Sequence, residues 1–409
     1  MRRIIIGVLG ICLSATICLG GGWTSWTMFS EADFRPQIGQ NDLRVIIAAL
    51  QLSEDERIMV QDLHTAHIGR VRDEGAQVKA DCVDLIERTQ LLGDGSHMKE
   101  VMTKREEWTK RREALDKEFL ADLRLVLSAE QDARWSIVER ELRRMRGMPA
   151  GRMVGESVDA IAMVTDAEIG QTPEISAILD RYAREVDAAL RARDGALDDV
   201  KDANLSSLVE TDPEQARKLF ERVRAERIRI RDLNRRAIEE VAARLTPEDG
   251  ARLRSRFTTT IADPLDLTDS YAMQVLTAAA DMDSATESQR ARIKAATDAY
   301  LAKRDRWIED YIATAMKVEE TSIPAQLERA LQGLPLDTSG RGLTETQSER
   351  TRVDALRRAW EDRVDLEKRA RTEAYALLTP EQRVGMPLLI EQARIRFGDL
   401  YGTYDYLSP

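Results

Sequence analysis

Aromatic residues are scarce in this chain. Phe, Trp and Tyr together make up 5% of its 409 residues, whereas charged residues make up 33%. So few large rings cannot fill a thick globular core. A chain rich in Ala, Leu, Arg and Glu is instead typical of long solvated helices packed in narrow bundles. The composition therefore predicts an all-α fold with a thin core.

Cysteine is also rare, and most of it lies in an N-terminal segment. That segment, MRRIIIGVLGICLSATICLGGG, places two arginines before an apolar run and small residues. Because the run is shorter than the ~20 residues of a membrane span, it predicts a secretory signal peptide at residues 1–22. Cleavage would leave Cys82 alone, which excludes an internal disulfide, and we expect Cys82 to be buried. The protein is predicted to be exported across the inner membrane to the periplasm. An uncleaved segment that retains it at the membrane is the alternative.

Positive net charge and catalytic motifs are missing as well. The formal net charge of −11 argues against nucleic acid as a ligand. The sequence has three histidines, no Gly-rich phosphate loop and no nucleophile elbow, so we expect neither an enzyme nor a cofactor. The many carboxylates alternate with arginines, and ion pairing on helix faces explains them.

A short capping phrase recurs along the chain. LSAEQD, LTPEDG and LTPEQR each place Ser or Thr at a helix N-cap, and the first and third place Gln three residues later, as a capping box requires. These closing phrases have related opening phrases upstream, LSEDE, QTPEI and ATESQ, and LTETQ follows an insertion in the third copy. The predicted capping residues are Ser53, Glu56, Ser128, Gln131, Thr172, Thr246, Thr286, Gln289, Thr344, Gln347, Thr379 and Gln382.

Two helical stretches separated by Gly, Asn or Pro lie between each opening and closing phrase. On the returning stretch of the first copy, Val101, Trp108 and Leu115 recur every seven residues, which indicates a helix that packs along another helix. We therefore predict three tandem, coiled-coil-like helical hairpins, each closed by a shorter helix. Their predicted bounds are residues 42–146, 157–262 and 265–397, and a tail at 398–409 follows.

A signal peptide followed by helical hairpins with these phrases resembles the LTxxQ-motif family of periplasmic stress proteins, the Spy, CpxP and zinc-resistance-associated type. The second copy departs furthest, since Gln171 replaces the motif leucine and Asp249 the closing glutamine. The resemblance implies an all-helical protein of the bacterial envelope, and in that family the known activities are ATP-independent chaperoning and signal or metal sensing. The first copy matches best, with Leu52, Ser53, Leu127, Ser128 and Gln131 at motif positions and Glu56 in place of glutamine.

Two histidines form a candidate metal site. His64 and His67 are three residues apart on one predicted helix, so their imidazoles could share a transition metal. Asp62, Cys82, His97 or a second chain would have to complete the site. The alternative is that His67 belongs to the apolar stripe and His64 faces water.

Tryptophans and arginines offer candidate client contacts. Heptad spacing predicts that Trp108 and Trp360 are packing residues, which leaves Trp135 and Trp307 as the freer candidates. The arginine-rich run at 222–236 could attract acidic chains, but a solvated helix face is its default interpretation.

Three functional hypotheses follow from the sequence. The leading one is a chaperone-like stress protein that holds unfolded or envelope protein clients without ATP or cofactor. The second is an envelope stress or metal sensor that regulates a membrane partner. The third is a structural spacer whose repeats set a length. A second copy of this chain is a further partner that the sequence leaves open.

Overall fold

Helices are the regular elements of this protein. The computed structural model describes residues 34–92, 96–167, 169–170, 172–263, 270–334, 347–384 and 386, and within these ranges no strand occurs. The all-α prediction is therefore confirmed. The predicted signal peptide, Thr344, the side chain of Gln347 and the tail at 398–409 lie outside the described residues. Across the described ranges no helix combines the length and the apolarity needed to span a membrane.

The helices are named in chain order. They are α1 (Gln40–Leu50), α2 (Glu54–Leu92), α3 (Ser96–Leu125), α4 (Ala129–Ala133), α5 (Trp135–Gly147), α6 (Ala160–Asp166), α7 (Pro173–Asp202), α8 (Leu205–Thr211), α9 (Pro213–Ala242), α10 (Pro247–Ala262), α11 (Tyr271–Ala280), α12 (Glu287–Thr321), α13 (Ala325–Leu331), α14 (Gln347–Ala376) and α15 (Pro380–Val384).

The chain separates into two compact units. Unit 1 is Met1–Met145 and unit 2 is Arg146–Pro409. Unit 1 contains the first predicted repeat, and unit 2 contains the second and third. The division into three tandem modules stays a prediction, because the second and third repeats belong to one compact body.

The centre of unit 1 is an antiparallel pair of long helices, α2 and α3. Ion pairs between the helices give the direction: Arg70 meets Glu118 at 2.8 Å and Asp81 meets Lys104 at 3.3 Å, so residue numbers rise on one helix as they fall on the other. Cys82 is buried, as predicted, and its burial raises the pKa of its thiol. The buried side chains along the pair include Val60, Val71, Cys82, Val101, Trp108, Leu115 and Leu123.

One end of this pair is covered by two shorter helices. Ile46 and Leu50 of α1 share a cluster with Trp135 and Leu142 of α5, and both pack near Leu123 of α3. These apolar side chains would otherwise lie in water, at a cost of about 25 cal/mol per Å². The short helices therefore complete a core that two helices alone leave open.

Unit 2 contains two long pairs, α7 with α9 and α12 with α14. One hydrophobic cluster joins them, since it contains Val186 of α7, Ile230 of α9 and Phe257 of α10 together with Trp307 and Ile312 of α12. A second cluster lies among α11, α12 and α14. The two predicted repeats of unit 2 thus share a core.

The structure adds short helices that the sequence patterns did not indicate. α1, α6 and α11 each precede an opening phrase, and α8 lies within a segment predicted to be a breaker. Asp159 caps α6 by accepting from the Ile161 backbone N–H at 3.0 Å, and Ser270 caps α11 by accepting from Met273 at 3.0 Å. A window of seven to eleven residues is too short to display a helical period, which is why these elements were missed.

Gly250, in the closing phrase of the second repeat, gives a test of this packing. A Cβ there would lie 2.6 Å from the Ala242 carbonyl oxygen, a backbone atom that cannot move aside. We predict that Gly250→Ala destabilises unit 2 by about 1–3 kcal/mol, because overpacking outweighs the higher helix propensity of alanine. Urea unfolding followed by circular dichroism measures this.

The matched control is Gly195→Ala in α7, where a Cβ meets nothing within 4 Å. It should leave stability unchanged or raise it by up to about 1 kcal/mol. Equal midpoints for the two variants would contradict the proposed close contact at Gly250.

Candidate functional site

The capping phrases of the first repeat lie at helix starts and bond to one another. The Ser128 hydroxyl accepts from the Gln131 backbone N–H at 3.2 Å, and Gln131 Oε1 accepts from the Ser128 N–H at 2.8 Å. The free end of the same side chain, Gln131 Nε2, donates to both carboxylate oxygens of Glu56 at 3.0 Å. Gln131 therefore caps one helix and ties it to the start of another.

The third repeat builds the same corner from two glutamines. Thr286 and Thr379 accept from the backbone N–H groups of Gln289 and Gln382 at 3.2 and 3.3 Å. Gln289 Nε2 then donates to Gln382 Oε1 at 2.9 Å. Residues 93 positions apart in the chain are thus joined where the hairpin opens.

The second repeat keeps its caps, and among its described residues no side-chain hydrogen bond joins the opening phrase to the closing one. Thr172 accepts from the Ile175 N–H at 3.4 Å and Thr246 from the Asp249 N–H at 3.2 Å. Ile175 stands where the other repeats carry Glu or Gln, and it is buried in the core. An apolar contact therefore takes the place of the side-chain hydrogen bond.

The hydrogen bonds around Glu56 favour the ionised form of its carboxyl group. The Ser53 backbone N–H, 2.7 Å away, and the Gln131 amide hold the pKa of the Glu56 carboxyl below its usual range. The carboxylate thus stays ionised at neutral pH and remains an acceptor for both donors.

The two candidate metal-binding histidines are both buried, in different surroundings. His64 is 0% exposed, with Nε2 2.9 Å from the Ile38 carbonyl oxygen, so the expectation that it faces water is wrong. The segment before α1 covers it, a contact that helical periodicity cannot predict. His67 Nε2 lies 3.0 Å from Asp116 Oδ1, and its ring stacks on Phe119 at 4.9 Å.

Two of the side chains proposed to complete a metal site, Cys82 and Asp62, are not buried together with the histidines. Cys82 belongs to a separate cluster further along the hairpin, and the side chain of Asp62 is exposed. In the described ranges no group of three or more His, Cys, Asp or Glu side chains is arranged to hold a metal. The rings of His64 and His67 are 6.3 Å apart, and a metal shared by them stays a prediction.

The tryptophans predicted to be free for clients are packed inside the protein. Trp135 is 7% exposed and donates to Glu139 Oε1 at 3.1 Å, and Trp307 is 8% exposed and donates to the Ala359 carbonyl at 2.6 Å. The prediction that they are the freer rings is therefore wrong. Each ring is covered by segments distant in sequence, which no local pattern displays. Trp108 is buried, as the heptad predicts.

The arginine-rich run at 222–236 is not a uniformly solvated face. Arg227 and Arg231 are buried, and Arg227 Nη1 reaches Glu156 Oε2 at 3.1 Å. Glu156 is 0% exposed and also pairs with the buried Arg193 at 3.2 Å. Sequence reasoning missed this ionic cluster because a buried arginine and a solvated one have the same local pattern.

Among the residues that the structure describes, most of the exposed large apolar side chains lie in unit 1. Leu125, at the end of α3, is 84% exposed, the highest value among the exposed large hydrophobic residues of the described ranges. Counted from the capping residue, its position is taken by Ala243 and Ala376 in the other repeats, and both are exposed. The exposed large hydrophobic residues of unit 1 are Ile58, Met59, Val83, Met102, Leu125, Val126 and Ile137, and those of unit 2 are Leu334 and Val384.

The caps give a direct test of the corners. We predict that Ser128→Ala, Thr246→Ala and Thr379→Ala each lower the free energy of unfolding by about 1 kcal/mol, because each removes an acceptor for a helix N-terminal N–H. Gln131→Ala should cost more than Asp249→Ala, since only Gln131 also bonds to the opposite phrase. Denaturant unfolding of the variants measures both effects. Equal losses for Gln131 and Asp249 would show that the tie to Glu56 adds nothing.

Comparisons with known proteins add no relative to this description. No protein-family model matches the chain, and neither the curated proteins nor the solved structures gave a match. The resemblance to the LTxxQ-motif family therefore rests on the capping phrases and stays a prediction.

Proposed function

We propose that this protein holds unfolded or envelope protein clients without ATP and that unit 1 provides the contact surface. The observation that supports this proposal is the concentration of exposed apolar side chains in unit 1, with Leu125 the most exposed. The support is the grouping of these side chains in one unit, because single exposed hydrophobic residues are common on protein surfaces whereas grouped ones mark interaction sites. The proposed activity is not enzymatic.

The surroundings of these side chains suit weak contacts with many partners. Ion pairs such as Arg70 with Glu118 and Arg111 with Glu74 line the same hairpin and keep it solvated. Methionines such as Met59 and Met102 adapt to different neighbours, because their side chains are unbranched and polarisable. Scattered apolar contacts on a charged helix pair fit varied extended chains better than one small molecule. The predicted membership of a periplasmic stress family agrees with this proposal.

A sensor that regulates a membrane partner is the second candidate. His64 Nδ1 supports it, since this atom is buried and has no hydrogen-bond partner among the described residues. If the protein is a sensor, a bound metal or a conformational change would provide a partner for the Nδ1 atom of His64.

The test is aggregation of unfolded clients in the presence of the protein from which residues 1–22 have been removed. We expect protection at near-equal molar ratio without ATP, and weaker protection at high salt because charged faces are screened. Leu125→Ser should weaken client binding by about tenfold or more, since burying a leucine contributes about 1.5 kcal/mol or more.

Val384→Ser is the matched control, because Val384 is 75% exposed and belongs to unit 2. It should retain full protection. Equal loss in both variants, or no protection of several unrelated clients at low salt, would contradict the proposal. Tight stoichiometric metal uptake that His64→Ala and His67→Ala abolish would then favour the sensor.

A further inference from the structure

The segment that precedes α1 lies along the α2–α3 pair of unit 1. The Ile38 carbonyl oxygen is 2.9 Å from His64 Nε2, and four residues earlier the Phe34 ring stacks on Trp108 with the centroids 6.2 Å apart. A Cβ at Gly75 would lie 3.6 Å from the same phenyl ring. The contacts on α2 thus move from residue 64 to residue 75 as the segment is followed backwards. It therefore runs toward the end of the pair where α2 finishes and α3 begins.

This segment occupies the side of the pair that faces away from an exposed ion pair. Glu74 of α2 and Arg111 of α3 meet at 2.8 Å and remain partly exposed. Adjacent residues of a helix point about 100° apart. Arg112, next to Arg111, donates to the Arg35 carbonyl oxygen at 3.4 Å. The segment and the ion pair therefore lie on different sides of the two helices.

Two exposed apolar side chains lie further along the side that the segment follows. Val83 is nine residues after Glu74 on α2. Met102 is nine residues before Arg111 on α3. Nine residues are about two and a half helical turns, which places Val83 and Met102 on the faces opposite the ion pair.

These two side chains border an open apolar strip. Asp81 of α2 pairs with Lys104 of α3 at 3.3 Å, so Val83 lies level with Met102 in the register of the two helices. Cys82, beside Val83, is buried between the helices. Val83 and Met102 are 40% and 51% exposed, so the described residues leave this part of the strip open. Grouped apolar side chains of this kind mark an interaction site, and this one continues a contact surface that the chain already uses.

The chain that precedes Phe34 has the composition and the length to cover this strip. Phe29 is five residues before Phe34, a span of up to about 17 Å. Val83 is eight residues after Gly75, about 12 Å along α2. The covalent connection to Phe34 also gives the preceding residues a high effective concentration at the strip. Residues 23–33, WTSWTMFSEAD, contain four large apolar side chains, Trp23, Trp26, Met28 and Phe29.

We propose that residues 23–33 continue the path of residues 34–38 along the α2–α3 pair and cover Val83 and Met102. The occupant of this surface is then the protein's own N-terminal segment. A client at this end of the pair would have to displace the segment. The contact itself does not depend on client holding. The exposed apolar residues at the other end of the pair stay open, and they are Ile58, Met59, Leu125, Val126 and Ile137.

Photo-crosslinking in the absence of any client tests this contact. A photo-reactive amino acid replaces Met102 in one sample and Met59 in the other, because Met59 is 47% exposed at the opposite end of the pair. Both proteins are expressed as the full-length chain, and the crosslinked peptides are identified by mass spectrometry. We expect position 102 to crosslink to peptides from 23–33 of the same molecule and position 59 to give few such crosslinks.

Two double variants test whether the apolar side chains make the contact. Trp26→Ser combined with Phe29→Ser should lose most of the crosslinks from position 102, because the rings that cover the strip are removed. Thr24→Ser combined with Thr27→Ser is the matched control and should retain them. Equal yields from the two double variants would overturn the assignment of the contact to the apolar side chains.

Three further results would overturn the proposal. The first is the absence of crosslinks between position 102 and residues 23–33, including the case in which the intact mass of the isolated protein shows that these residues have been removed. The second is an equal yield from positions 59 and 102. The third is crosslinking from position 102 to a second copy, recognised by mixing isotope-labelled and unlabelled protein, which would make this face an interface between copies of the chain.

Discussion

The capping phrase is the constraint on which this architecture depends. Long helices made largely of charged residues can bury only a narrow apolar stripe, so each pair must be aligned end to end for its stripe to be covered. In unit 1, Gln131 of α4, the helix that follows α3, bonds to Glu56 at the start of α2. In the third repeat, Gln289 at the start of α12 bonds to Gln382 of α15, the helix that follows α14. In both places the amide of a glutamine side chain caps the start of one helix and also bonds to the capping phrase at the start of another helix. Burial of the flanking apolar residues then follows from the register that these bonds set.

The repeat whose capping phrases differ from the others is stabilised in a different way. The second repeat has Ile175 and Asp249 at the positions of the paired glutamines, and it is stabilised by a large core shared with the third repeat. The first repeat has both halves of the phrase and forms a separate compact unit. The exposed apolar residues lie mainly in that separate unit. Most of the exposed large apolar side chains of the described ranges lie on it, and the proposed client contacts are assigned to it for this reason.

Local chemistry in the sequence predicts the helix starts well and the packing between distant segments poorly. The capping residues Ser128 and Thr379 lie at N-caps because the required atoms are three residues apart. His64 and Trp307 have ordinary local patterns, yet segments far along the chain bury them. Short helices such as α6 give no period to detect. The ionic cluster around Glu156 depends on arginines from two separate helices, α7 and α9, so nothing near residue 156 in the sequence indicates it.

Unfolded chains are proposed to bind at the exposed apolar residues of unit 1. The most direct measurement places a photo-crosslinking amino acid at position 125 or at position 384 and adds an unfolded client. We expect abundant crosslinks from position 125 and few from position 384, because both sites are exposed and only the first lies in unit 1. Equal yields from the two positions, or none from position 125 while the client is protected, would contradict it.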